Sequence, residues 1–193
     1  VFGRQIDGKM DLWRMRADGS DEEQITFADD WQEGAPFYLP DNETILTRAW
    51  RRSQYGQEGP TPMTVFTVKH DGSETIQRTF DEDMNWAPYP APDGRHYVFV
   101  RIVEDNNWEI FLGDLAGGEP KRLTYNKTFD GFPSLSPDGT KMLFTRSKGG
   151  FMSNLYTNVM DVSSLNIGPD QWQGKVPEIS PPSAVEVEPV AAR

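Results

Sequence analysis

A repeated proline motif constrains the fold of this chain more strongly than any other feature of its sequence. Residues 35–42, APFYLPDN, return as APYPAPDG at residues 87–94 and as FPSLSPDG at residues 132–139. The second proline of the motif recurs at steps of 52 and 45 residues, at Pro40, Pro92 and Pro137, with an earlier proline at Pro36, Pro88 and Pro133. Such periods indicate a repeat architecture, in which each unit packs on its neighbours.

A second landmark, a glycine followed seven residues later by a threonine, keeps the same register. The threonine stands nine or ten residues before the first proline of the next unit. The three pairs are Gly19 with Thr26, Gly72 with Thr79, and Gly117 with Thr124. Two landmarks that stay in register over three copies define one structural unit rather than a chance similarity.

Each unit contains four short strand-like segments. The apolar runs TILTR, YVFVR and MLFTR follow the Pro-Asp-Gly turn, and the chain opens on VFGR, the end of another copy. A second run, a threonine-ended segment and the proline-flanked segment complete the unit. These runs are rich in β-branched and aromatic residues and are bounded by turn residues, which is typical of strands. Four strands in about 45 residues predict an all-β propeller, with about four blades, some incomplete, in this chain.

The motif resembles the repeat of TolB-type propellers, which have WD40-like blades. Residues 123–147, LTYNKTFDGFPSLSPDGTKMLFTRS, carry the resemblance most clearly, and it extends over residues 1–165. Because TolB-type propellers close with six or more blades, the resemblance implies that this is the C-terminal portion of a longer chain. Residues 166–193 are predicted to form a proline-rich extended tail, which lies along a partner or ends in solvent.

Charge and composition narrow the partners. A formal net charge of −11 disfavours binding to nucleic acid, and no apolar run is long enough for membrane insertion. The chain has no cysteine, which excludes disulfides and thiolate metal sites but does not fix the compartment. The resemblance implies a periplasmic or otherwise exported protein.

Three polar residues occupy the position three residues before the first proline of each unit: Glu33, Asn85 and Asp130. In TolB-like propellers the loop that enters the innermost strand faces the axial channel, so the resemblance places these side chains at its mouth. A ring of oxygen ligands there suits calcium or the amide groups of a threaded peptide. The alternative is that water and turn amides satisfy these residues. No other cofactor is predicted.

Four arginines recur two residues after an apolar strand residue: Arg4, Arg48, Arg101 and Arg146. Alternation along a strand would place each arginine on the same face as that apolar residue. We interpret the column as structural, with each guanidinium paired to an acid of a neighbouring strand or blade. A site for an anion or carboxylate is the alternative.

The longest connection, residues 50–62, separates two strands of one unit. Its Trp50, Arg51, Arg52 and Tyr55 are residue types enriched at protein interfaces, which predicts a contact surface for a protein partner. The alternative is a tolerated loop insertion.

The motifs of common enzyme classes are missing from this sequence. It contains no Gly-x-Ser-x-Gly nucleophile elbow, phosphate-binding loop or metalloprotease helix. We therefore predict a non-catalytic interaction scaffold of the bacterial cell envelope, which binds a protein or peptide through the channel mouth and loops as a subunit of a larger assembly. The alternative is a gating or substrate-orienting propeller domain of a hydrolase, such as a peptidase, whose catalytic domain lies outside this chain.

Overall fold

The computed structural model describes residues 1–180. Strands and turns dominate this part, with three short 3-10 helices at Arg52–Gln54, Ser163–Leu165 and Pro169–Gln171. The strands are β1 (Phe2–Ile6), β2 (Lys9–Arg14), β3 (Glu23–Gln24), β4 (Trp31–Tyr38), β5 (Thr44–Arg51), β6 (Thr64–Lys69), β7 (Thr75–Gln77), β8 (Trp86–Pro90), β9 (His96–Glu104), β10 (Asn107–Asp114), β11 (Lys121–Arg122), β12 (Asp130–Leu135), β13 (Lys141–Arg146) and β14 (Tyr156–Asp161).

The strands form four antiparallel sheets, one for each repeat. We name them blade 1 (β1–β3), blade 2 (β4–β7), blade 3 (β8–β11) and blade 4 (β12–β14), and within each blade the strands pair in chain order. The first strands of blades 2, 3 and 4 pack against one another and are therefore innermost. Blade 1 corresponds to the last three strands of the repeat and blade 4 to the first three. The predicted all-β propeller of four-stranded blades is confirmed.

The first proline of each repeat lies in a bulge of the innermost strand. Pairing of the first and second strands shifts by one residue at the same place in blades 2, 3 and 4. The residue before each proline has a positive φ: Ala35 at 54°, Ala87 at 50° and Phe132 at 52°. Because a bulge interrupts the ladder of hydrogen bonds, proline fits there without removing a needed donor.

The hydrophobic core lies between neighbouring blades. Leu12, Ile25, Ile45 and Val68 pack between blades 1 and 2. The corresponding cluster between blades 2 and 3 contains Leu39, Leu46, Val65, Tyr97, Phe99 and Leu115. The cluster between blades 3 and 4 contains Ala91, Val98, Val100, Ile110, Leu135, Met142, Phe144, Val162 and Ile167. Blades 2 and 3 therefore bury both faces against their neighbours, as in a propeller.

The chain after blade 4 runs back across the blades. Ile167 is fully buried between blades 3 and 4, and Trp172 lies so close to Gly94 that a Cβ at that glycine would be 2.1 Å from the indole ring. Further on, Val176 packs against the cluster between blades 2 and 3, and the Ser180 amide donates to the Ala116 carbonyl at 3.1 Å. Residues 166–180 thus cover the protein's own blades, and the rest of the predicted tail, residues 181–193, lies outside the described part.

No helix within residues 1–180 has the length and apolar character needed to cross a membrane.

Candidate functional site

The recurring threonine forms the same link in each blade interior. Its hydroxyl accepts a hydrogen bond, 2.9 Å long, from a backbone amide of the third strand. The pairs are Leu12 with Thr26, Val65 with Thr79, and Ile110 with Thr124. Because an unsatisfied buried amide is costly, this link explains why the repeat keeps a threonine at that position.

The three predicted channel-mouth residues are buried, and two of them are hydrogen-bonded to these threonines. Glu33 is 3% exposed, and Asn85 and Asp130 are 0% exposed. The Thr26 hydroxyl donates to Glu33 at 3.1 Å, and the Asn85 amide donates to the Thr79 hydroxyl at 3.3 Å. The structure thus corrects the prediction that these side chains line an open mouth: the packing of successive blades encloses them.

Arginines from the second strand reach two of these positions. Both oxygens of Asp130 accept hydrogen bonds from Arg146, at 2.7 and 2.5 Å. Arg101 donates to the Asn85 oxygen at 2.7 Å and to Asp81 at 2.5 Å. A cation bound by Asn85 or Asp130 would have to displace a guanidinium, so the geometry gives calcium little support. Calcium binding by this set of residues stays a prediction.

Arg4 also has an acidic partner in its own blade. Its guanidinium donates through both terminal nitrogens to the two Glu22 oxygens, with the Nη2–Oε2 distance at 2.8 Å. The ion pair is about one third exposed on each side, so its contribution to stability is small, on the order of 1 kcal/mol or less. Arg4, Arg101 and Arg146 therefore each hold an acid or amide of their own repeat.

Arg48 shares the face of Leu46, as alternation predicts, but it does not belong to this column, and the prediction that it pairs with an acid is wrong for the residues that the structure describes. It pairs with Gly34 across β4 and β5, whereas Arg146 pairs with Asp130 across β12 and β13. The residue of blade 2 that corresponds to Arg146 is Ala49, which pairs with Glu33. Because successive strand residues point to opposite faces, a shift of one residue moves Arg48 to the other face of blade 2.

Because blade 2 has Ala49 where blade 4 has Arg146, Glu33 has no guanidinium across the strand pair. Desolvation by burial raises the pKa of Glu33 to about 8, with a further contribution from the negative charge of Asp11. The cavity lined by Glu33, Ala49 and Phe66 has a volume of only about 10 Å³. This volume is too small for an arginine head group. The positive charge of Lys9, which lies 3.8 Å from Asp11, opposes this rise in the pKa of Glu33. Burial therefore favours the protonated form of Glu33 at neutral pH.

Arg48 itself lies between blades 2 and 3 among aromatic rings. Its guanidinium carbon is 5.4 Å from the centroid of the Trp50 ring and 5.9 Å from that of the Trp86 ring. Desolvation by burial lowers the pKa of Arg48 to about 10, so the side chain stays charged at neutral pH. The sequence could have revealed this difference, because Arg48 stands eight residues after its turn proline whereas Arg101 and Arg146 stand nine.

The loop of residues 50–62 is held at its start and exposed at its centre. Asp30 accepts hydrogen bonds from the Ser53 amide at 3.1 Å and the Ser53 hydroxyl at 3.0 Å, and Arg51 stacks 4.5 Å from the centroid of the Trp31 ring. Tyr55 is 66% exposed, and Arg52 is also exposed. Trp50, by contrast, is 7% exposed, so the structure corrects its prediction as a surface anchor: it belongs to the interior.

The innermost strands end at the turns that contain Pro40, Pro92 and Pro137. An apolar groove of about 370 Å³ lies at this end of the strands. Phe37 and Tyr89 form its aromatic part, with ring centroids 4.8 Å apart, and the three turn prolines form its rim. Grooves that combine aromatic rings and prolines suit extended peptides. The groove joins three blades, so no single repeat could form it.

Comparison with known proteins defines the fold. No family model matches the chain. An uncharacterised protein of Agrobacterium fabrum is 28% identical over 155 residues, which are 72% of this chain and 48% of that protein. An uncharacterised peptidase of Bacillus subtilis, YuxL, is 30% identical over 117 residues, which are 59% of this chain and 17% of that protein. The chain thus spans about half the length of the first relative and less of the second.

Solved structures give the same class of protein, a β-propeller. TolB from Acinetobacter baumannii superposes with a TM-score of 0.67 at 20% identity, over 84% of this chain and 38% of that one. A protein described as putative TolB from Agrobacterium tumefaciens gives 0.68 at 19% identity, over 83% and 56% of the two chains. The blades described above therefore have the TolB-type propeller fold, as the repeat motif predicted.

Proposed function

We propose that this chain is a non-catalytic interaction scaffold of the bacterial cell envelope that binds a protein or peptide partner, as a subunit of a larger assembly. The observation that carries the proposal is the loop of residues 50–62. Asp30 fixes its start, and Arg52 and Tyr55 are exposed on a chain whose net charge is −11. A held loop that presents a guanidinium and an aromatic ring binds at a lower entropic cost than a mobile one.

The apolar groove supports the same proposal from another side of the molecule. It offers an extended peptide an aromatic floor between Phe37 and Tyr89, while the loop offers a folded partner a local positive charge. The similarity to TolB structures supports a periplasmic or otherwise exported location for this chain. The exposed loop side chains Arg52 and Tyr55 lie outside the core clusters, whereas the groove is lined in part by core residues such as Leu39.

The test compares two double variants of the full-length protein in its native host. R52A/Y55A removes the proposed contact. The control K121A/Y125A removes the exposed Lys121 of β11 and the 74% exposed Tyr125 of the loop after it, with the same change of charge. Chemical crosslinking with mass spectrometry is expected to lose the same partner in the first variant only. Melting temperatures should stay close to that of the unmodified protein in both, because exposed substitutions cost about 0.5 kcal/mol or less. Unchanged crosslinks in R52A/Y55A would contradict the proposal.

The second candidate is the gating or substrate-orienting propeller domain of a hydrolase. It is favoured by the 30% identity to the Bacillus subtilis peptidase, of which this chain covers 17%. The full-length reading frame separates the two candidates, since a hydrolase domain with a nucleophile elbow supports the second. Hydrolysis of a peptide substrate that changes with R52A/Y55A would support it further.

A further inference from the structure

Two departures from the repeat meet at the junction between blades 2 and 3. Arg48 occupies the position at which blade 3 has Val100 and blade 4 has Thr145. Trp86 occupies the position on the innermost strand at which blades 2 and 4 have glycine. At the glycine of blade 4, Gly131, a Cβ would lie 2.3 Å from the ring of Phe129, so a large side chain is excluded there. Positions at which one repeat departs from the others, and which contact each other, mark a local function.

The charge of Arg48 has no anionic partner among residues 1–180. Its Nε is buried without a hydrogen-bond acceptor, and so is the indole Nε1 of the adjacent Trp50. A guanidinium gains some stabilisation from the faces of Trp50 and Trp86, but that contact satisfies no N–H donor. Arg101, at the same junction, and Arg146, at the junction between blades 3 and 4, each donate to a side-chain oxygen. Arg48 therefore has an unused capacity to bind an acceptor.

An aromatic surface continues from this cation along the innermost strands. The Trp86 ring packs 4.8 Å from that of Phe132, centroid to centroid, and Phe132 is 48% exposed. A ligand held by Arg48 would thus place its neighbouring group on Trp86 and Phe132. Aromatic surfaces of this kind bind apolar side chains by burying them.

We propose that Arg48, Trp86 and Phe132 form a recognition site for a peptide carboxylate that adjoins an apolar side chain. The planar guanidinium matches the two oxygens of a carboxylate, and the aromatic rings take the apolar group. The net charge of −11 favours a singly charged group over a phosphate or a polyanion. The site deepens the proposed function, on which it rests, by naming the chemistry of the bound peptide.

The experiment uses two matched probes, N-acetylphenylalanine and N-acetylphenylalanine amide, which differ only in the carboxylate. Each is titrated into the protein while the indole N–H signals are followed by nuclear magnetic resonance. The acid is expected to bind at least ten-fold more tightly than the amide and to shift the indole signals. Equal affinity for the two probes would overturn the proposal, and this comparison needs no variant.

Three variants locate the site. R48M keeps the aliphatic volume and is expected to bind the acid no better than the amide, and W86G, which restores the residue of the other repeats, should weaken both probes. R16M, at an exposed arginine of blade 1, should bind the acid as the unmodified protein does. If R48M does not fold, R48K replaces it and is expected to weaken the acid several-fold through loss of the bidentate geometry. Unchanged acid binding in whichever of these two variants folds would overturn the assignment.

The two proposals fail separately. The probe titration involves no partner protein, whereas the crosslinking test of R52A/Y55A involves no small ligand. Loss of the partner from R52A/Y55A with no preference for the acid probe would support the scaffold and refute the carboxylate site. Preference for the acid probe with unchanged crosslinks would refute the loop contact and leave the carboxylate site supported.

Discussion

The junction between blades 3 and 4 holds its buried acid with a guanidinium, whereas the junction between blades 1 and 2 holds the equivalent acid with none. Asp130 is bonded through both oxygens to Arg146, while Glu33 faces Ala49 and is bonded to Thr26. The two acids have the same place in the repeat and are buried to the same degree. Burial alone therefore fixes neither the charge nor the role of a repeated side chain, because the residue across the strand pair decides both.

The largest expected effect on stability comes from removing the Arg146 guanidinium at the junction between blades 3 and 4. R146M leaves the fully buried Asp130 without its charge partner, which should lower the free energy of unfolding by about 3 kcal/mol, the low end for a buried pair because Arg146 is 28% exposed. Urea denaturation measures this. K141M is the matched control, since Lys141 lies on the same strand and its pair with Asp161 is about half exposed; it should cost less than about 1 kcal/mol. Equal losses of stability in R146M and K141M would mean that the buried Asp130–Arg146 pair does not distinguish this junction.

The second expected effect is a pH dependence of the free energy of unfolding that arises at the junction between blades 1 and 2. The pKa of Glu33 is raised from 4.5 to about 8, so the folded protein keeps a proton that the unfolded chain releases above pH 4.5. The free energy of unfolding should therefore fall as the pH rises from about 4.5 to 8. E33Q removes this proton linkage, and its stability relative to the unmodified protein should increase by about 2 kcal/mol between pH 6 and pH 8.

Urea denaturation at pH 6, 7 and 8 measures this difference. The control is E43Q, which changes an exposed glutamate and should give a curve parallel to that of the unmodified protein. If E33Q also runs parallel, Glu33 is ionised at neutral pH and the two junctions do not differ in charge.

The third effect tests what the junctions share. T79V removes the hydroxyl that accepts from the Val65 amide at 2.9 Å, at the junction between blades 2 and 3, and leaves that buried donor unsatisfied. The expected cost is about 1 kcal/mol or slightly more. T157V, on the exposed face of β14, should change stability by less than about 0.5 kcal/mol. A loss no larger than that of T157V would mean that the threonine link does not stabilise the repeat.

Much of the fold could be predicted because its signals are local. Each strand has its own apolar run, and each turn has a residue that tolerates positive φ: Asn42 at 55°, Gly94 at 66° and Gly139 at 71°. The prolines mark bulges that lie in the same place in three blades. These features depend on a few neighbouring residues, so a repeat in the sequence is enough to reveal them.

The candidate site could be predicted only in part. Glu33, Asn85 and Asp130 were found as a repeated column, but their burial depends on packing against the preceding blade, which no single repeat contains. Trp50 reads as an interface residue in its loop, whereas the blade encloses it. Contacts between blades join residues far apart in the sequence, and local patterns carry little information about them.

The sequence by itself determined that this chain forms blades, because turn chemistry and strand periodicity act within about 45 residues. The one-residue step that turns Arg48 to the other face of blade 2 is also present in the sequence, but the partner that Arg48 meets on that face is a product of the tertiary structure. Eight residues rather than nine separate it from the turn proline, and a strand reverses the direction of its side chains at every step. This one-residue shift leaves Glu33 without a guanidinium and places the charge of Arg48 against Trp86. Trp86 is 38 residues away in the sequence and belongs to the next blade.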